Sequence, residues 1–166
     1  MSRFTEPLLV TPLADGRTWV VMRDFGYDVG AEGSGDQISV AVGFQTDFAS
    51  VPRPLWWLFP CWGKYGNAAV IHDWLYWTQT RPKPEADHIF LEAMTVLGVG
   101  TFTRYSLYYA VHWFGGLAWI QNQEDRAQGF QRVQSVTALK ATDASQRKNK
   151  WMQVGRAVVR RVGGTR

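Results

Sequence analysis

The chain has 166 residues, 46% of them hydrophobic and 19% charged, which suits one domain with a real core and excludes wholesale disorder. The net charge of +4 is unevenly spread: residues 1–119 hold 8 Lys/Arg against 11 Asp/Glu, a net of −3, and residues 120–166 hold 10 against 3, a net of +7. An acidic-leaning body excludes a nucleic-acid binder that uses its whole surface. In chain order, residues 1–45 read as strands and turns. Leu8, Leu9 and Val10 and then Trp19, Val20, Val21 and Met22 flank the turn dipeptide Asp15-Gly16. Ile38, Val40, Val42 and Phe44 alternate with Ser39, Ala41, Gly43 and Gln45, which predicts a strand with one apolar face. The glycine-rich stretch at 30–36 reads as a plain loop. A phosphate loop needs a Lys-Ser/Thr pair and a following helix, and the sequence offers neither.

Residues 44–119 hold 18 of the 24 aromatic residues, so the core and the chemistry are expected there. Pro52, Pro54 and Pro60 limit Leu55-Trp56-Trp57-Leu58-Phe59 to about one helical turn. Gly63-Lys64-Tyr65-Gly66 reads as a turn, with Asn67 as N-cap of a helix to Thr78. Arg81-Pro82-Lys83-Pro84 breaks it. A second helix is predicted from about Glu85 to Leu97, ended by Gly98 and Gly100. A third runs from near Thr103 to about Trp119, with a weak point at Gly115-Gly116. The short connections make these antiparallel neighbours.

The remainder is polar and basic. Residues 121–138 extend a helix, and residues 142–149 form a polar linker. The spacing over residues 150–162 predicts a short amphipathic helix, with Trp151, Val154, Val158 and Val162 on one side and Arg156 and Arg160 on another. The single cysteine, Cys61, excludes an internal disulfide and a zinc ribbon. Residues 1–7 lack the apolar stretch of a signal peptide. The best apolar run, residues 106–120, is too short to span a bilayer. The expectation is an α+β fold. A small antiparallel N-terminal β-sheet (residues 1–45) packs on a roughly three-helix, aromatic-rich core (46–140), followed by a basic C-terminal extension (141–166).

The informative string is His72-Asp73-Trp74-Leu75-Tyr76, with Asp87 fifteen residues after His72. His72 and Tyr76 are four apart and share a helix face. Asp73 points about 100° away, where it can take a cation or a backbone donor. Asp87, in the first turn of an antiparallel second helix, can approach His72 as the orienter of a base. Asp73 suits calcium or magnesium as a hard oxygen ligand. Plainer readings stand beside these. His72 and its neighbours also fit a buried structural hydrogen-bond pair or an interaction surface. Asp47 fits an Asx turn, and Arg81 fits an ion pair with Asp87 or Glu85. His88 and His112 read as structural histidines, and Tyr105, Tyr108, Tyr109 and His112, at helical spacing, as core or site wall. The Trp-rich run reads as a plug between sheet and helices, or as a patch touching lipid or a partner. The tail reads as solvated, as docking on a protein, or as meeting DNA or an anionic membrane.

Two resemblances rest on these residues. His72-Asp73 with Tyr76 resembles the active-site helix of the phospholipase A2 superfamily. That implies His72 activating water, Asp73 binding calcium, Tyr76 in the network and Asp87 orienting His72. The sequence departs from that family in forming no disulfides, in the poor glycine loop at 63–66 and in the short spacing to Asp87. Residues 46–53, 72–76 and Arg81 with Ala86-Asp87, Phe90 and Met94 resemble, over roughly 40–119, a phage- and prophage-associated family, domain of unknown function 1353. Its motif residues correspond to Asp47, His72, Asp73, Arg81 and Asp87, and the resemblance implies a phage or prophage origin. The expected protein is a phage-encoded His/Asp hydrolase, calcium-assisted, with His72, Asp87 and Tyr76 at the catalytic centre. Asp73 and Asp47 would hold the cation, supported by Arg81. The alternative is a non-enzymatic virion component, a tail or neck protein, docking through Trp56, Trp57, Phe59, Arg156, Arg160 and Arg161. Other phage structural proteins or a second copy of the chain are the expected partners, in a virion or the host cytoplasm.

Overall fold

Among the described residues, six short strands make two antiparallel sheets, and four helices come after them in the chain. This computed structural model describes residues 1–48, 63–135 and 137. The expected docking residues Trp56, Trp57, Phe59, Arg156, Arg160 and Arg161 lie outside the described residues. The chain divides into two units, Met1–Val133 and Gln134–Arg166, and both sheets and all four helices belong to the first.

The architecture is α+β, as the patterning predicts, with two sheets in place of one. One sheet has the order β1 (Arg3–Phe4), β4 (Phe25–Asp28), β5 (Gln37–Val40); the other has β2 (Val10–Pro12), β3 (Trp19–Val21), β6 (Gln45–Thr46). The Asp15-Gly16 turn joins β2 to β3. The Asp15 carboxylate accepts bonds from the Arg17 and Thr18 amides, and Gly16 takes the positive φ of 68°. The glycine-rich stretch is the loop of the β4–β5 hairpin, with Tyr27 paired to Ile38. The alternating run 38–45 is not one strand. A turn closed by the Phe44 amide on the Ala41 carbonyl, with Gly43 at φ 88°, splits it between the sheets. The apolar alternation continues across the break because both pieces face the same core: Ile38, Val40 and Phe44 are all buried.

That core is built around α1 (Gly66–Thr78), which is buried on nearly every side. A helix covered all round needs no polar face, which explains its Ala68-Ala69-Val70-Ile71 run. α1 starts without a side-chain cap: the turn at 63–65 winds straight into it, so Asn67 lies inside the helix. α2 (Lys83–Val96) begins earlier than expected, because Pro82 is its N-cap and Pro84 falls in the first turn, where proline is tolerated. α3 (Thr101–Phe114) and α4 (Gly116–Ala127) flank Gly115. Gly115 has helical φ and ψ, and the bonds from its amide to Val111 and from the Trp119 amide to Gly115 carry the ladder through. The expected third helix is therefore a nearly continuous run that ends at Ala127, short of 138. No described helix is long and apolar enough to cross a membrane.

Polar ties fix sheets to helices. Glu92 of α2 accepts from the Tyr27 hydroxyl (2.8 Å) and the Gly30 amide (2.9 Å). Arg126 of α4 donates to the carbonyls of Trp77 and Thr78 at the end of α1.

Candidate functional site

The centre of α1 meets the first turns of α2 at a buried carboxylate. Asp87 is 0% exposed and His72 is 1% exposed. His72 Nε2 lies 3.1 Å from Asp87 Oδ1. The Tyr76 hydroxyl, one turn along α1, donates to the same oxygen at 2.7 Å. The other oxygen, Oδ2, accepts from Lys83 Nζ at 2.8 Å and has His112 Nδ1 at 3.4 Å. Lys83 also donates to the carbonyls of Val111 and His112, each at 3.0 Å, and so caps the negative end of α3. The His72 ring is held between Tyr76, with centroids 4.1 Å apart, and Phe90, at 4.7 Å.

Burial pulls His72 below its ordinary pKa, outweighing the upward pull of Asp87, so the imidazole is neutral at pH 7. Burial pushes Asp87 up, but the hydrogen bonds from His72, Lys83 and Tyr76 together outweigh it and hold the carboxyl at about 2. The Tyr76 hydroxyl is raised, first by burial and then by Asp87, and stays a donor. A neutral imidazole beside an ionised carboxylate keeps its proton on the nitrogen facing that carboxylate, here Nε2. The basic lone pair is then on Nδ1.

Asp73 faces elsewhere, as its helical offset predicts. One oxygen accepts from the Thr46 hydroxyl of β6, and Thr46 Oγ1 in turn accepts from the Phe48 amide at 3.1 Å. Phe48 is buried with φ 53°, a left-handed conformation that costs an aromatic residue about 1–2 kcal/mol. Core burial and the bond to Thr46 hold it there. Asp47 is exposed. Among the described residues no group of three or more His, Cys, Asp or Glu side chains converges as a metal site.

Arg81 stands apart from the cluster. It pairs with Asp36 and, at 2.5 Å, with Glu85, and lines an open cleft of about 610 Å³ with Trp74, Thr78 and Ser39. The cation on Asp87 is Lys83. In the sequence Pro82 and Pro84 make Lys83 look like loop, although its four-residue spacing to Asp87 is a signal. Thr46 opens the motif at 46–53, but the sequence gives it no role of its own. Gly115 reads as a weak point, but a Cβ there would overlap both the Val111 carbonyl oxygen and the Tyr76 hydroxyl, so glycine permits the local turn of the backbone as well as the approach of α1. Tyr108 lies against His88 and His112, with its hydroxyl 3.4 Å from His88 Nε2.

Sheets, helices and cluster define an α+β protein organised round a buried His–Asp–Lys core. Residues 19–111, more than half of the chain, match the family described as "Protein of unknown function (DUF1353)", and the chain belongs to that family. It is similar to "Uncharacterized protein y4jT" of Sinorhizobium fredii (strain NBRC 101917 / NGR234), with 31% identity over 94 residues. The match takes in 55% of this chain and 27% of that protein. The chain thus spans about a quarter of that relative's length. No solved structure matches.

Proposed function

We propose that the protein is a hydrolase of ester-type substrates in which His72 is the general base and Asp87 its orienter. The observation that carries this reading is the 3.1 Å contact between a neutral His72 and an ionised Asp87. Asp87 fixes the tautomer and stabilises the imidazolium formed when Nδ1 takes a proton from water. Tyr76 and Lys83 keep Asp87 ionised and still. The phospholipase A2-like spacing of His72, Asp73 and Tyr76 supports an acyl ester as the bond attacked. Phage origin, from the family motifs, belongs to the same proposal. Calcium binding at Asp73 is read by thermal stabilisation with calcium, which Asp73→Asn would abolish.

Turnover of short-chain aryl esters and of phospholipid vesicles by the full chain tests the reading. His72→Asn is expected to lower the rate by about 10²–10⁴-fold, and Asp87→Asn to lower it as well. The acid limb of the rate profile should lie below pH 6.5, because the imidazole is held neutral. Activity undiminished in His72→Asn would overturn the assignment. A second reading, a virion component with a purely structural cluster, is favoured by one observation: His72 is 1% exposed and packed against two rings. Inactivity on every ester, together with recovery of the chain in purified particles, would select it.

A further inference from the structure

The α3–α4 run carries an exposed apolar stripe that the cluster does not use. Phe102, Tyr105, Tyr109, Trp113, Leu117 and Ile120 are 41% to 81% exposed. Their spacing of three and four puts them on one face, and the ladder through Gly115 keeps that face continuous. Tyr109 and Trp113 stack with centroids 5.0 Å apart. At about 200 Å² per large side chain, the six expose roughly 700 Å². The largest patch on an ordinary monomer is about 300–600 Å², and a standard interface takes about 800 Å² from each partner.

We propose that this stripe is the interface of a two-fold homodimer in which the α3–α4 helices pair antiparallel. The stripe has the self-complementarity that such an interface requires, where residue i meets j and j meets i. Phe102 and Ile120 stand nine positions either side of position 111, Tyr105 and Leu117 six, and Tyr109 and Trp113 two. An antiparallel pair centred at 111 therefore sets each of the three N-terminal aromatics opposite a large apolar side chain of the other copy. Charge agrees. Arg104 is the one Lys, Arg, Asp or Glu among residues 93–123, so the pairing buries no carboxylate. The two Arg104 side chains, fourteen positions apart in this register, are separated by about 20 Å along the axis.

Sedimentation of the full chain between about 1 and 100 μM tests the proposal. A monomer–dimer equilibrium is expected, weakened at least about 30-fold by Trp113→Glu or Tyr109→Glu, with far-UV circular dichroism unchanged because both positions are exposed. Register is read by mild oxidation of Tyr105→Cys/Leu117→Cys. The double variant should cross-link between copies and each single variant should not. Within one chain these positions lie about 18 Å apart, too far for a disulfide. A monomer at every concentration would overturn the proposal. So would a dimer indifferent to both Glu variants, or a monomer that floats with phosphatidylcholine vesicles in a Trp113-dependent way, which would make lipid the occupant.

Discussion

At the scale of single residues, Lys83 decides how the buried carboxylate is tolerated. An ionised Asp87 in the interior is sustained only if its partners repay the lost hydration. His72 and Tyr76 satisfy one oxygen, and among the described residues the full positive charge comes from Lys83 on the other. Lys83→Met removes that charge and takes one donor from each of the Val111 and His112 carbonyls. Urea denaturation is expected to show a loss of about 2–3 kcal/mol, below the usual toll for a fully buried pair because Lys83 is 18% exposed. Lys83→Arg should recover part of this. An unchanged midpoint in Lys83→Met would mean that the ion pair does not hold Asp87.

At the scale of elements, the joint between α3 and α4 sets opposing tendencies against each other. Helix propensity favours alanine over glycine by about 1 kcal/mol. Gly116 has nothing within 4 Å of where a Cβ would sit, whereas Gly115 faces the Tyr76 hydroxyl. Gly116→Ala is therefore expected to raise stability by about 1 kcal/mol and Gly115→Ala to lower it by about 1–2 kcal/mol, both measured by thermal melts. Two variants moving the same way would show that the Tyr76 approach does not require a glycine. Such features are hard to read in a sequence. The glycine pair looks like a helix breaker, and only the three-dimensional neighbour tells one glycine from the other. α1 and α2 were legible from the turn at 63–66 and from the proline break between them. The pairing of His72 with Asp87 was legible too, because a short turn forces antiparallel helices. β4 was not: Phe25-Gly26-Tyr27-Asp28 has no clear alternation, and all of its first three residues are buried. The helix end at Thr78 was legible, but not the residue that makes it: Gln79 takes a left-handed φ of 52°, usually a glycine's. Gln79 is kept there by its side-chain amide bond to the Trp119 carbonyl at 2.8 Å.

At the scale of the whole molecule, the cluster makes stability depend on pH in one direction. Both His72 and Asp87 have lowered pKa values in the folded chain. The unfolded chain therefore binds protons that the folded chain refuses, and stability falls as pH falls. The His72 part is complete above about pH 6.5 and is lost below it. The Asp87 part, a shift from 3.8 to about 2 worth about 2 kcal/mol, is lost between about pH 4 and 2. Urea midpoints at about pH 7.5 and 5.5 should differ, and His72→Asn should narrow the difference. A midpoint that rises on acidification would contradict the neutral buried imidazole.

The cations at the helix ends have a further consequence, for the order in which the chain assembles. The last carbonyls of α1 receive Arg126, which arrives forty-eight residues later, and those of α3 receive Lys83, which lies twenty-eight residues earlier. At each end the cation adds to a local closure, the Gln79 amide on the Leu75 carbonyl in α1 and the Gly115 amide on the Val111 carbonyl in α3. Hairpins cut from this region would keep the local closure and lose the distant cation, and their helix ends are expected to fray more readily than in the full chain.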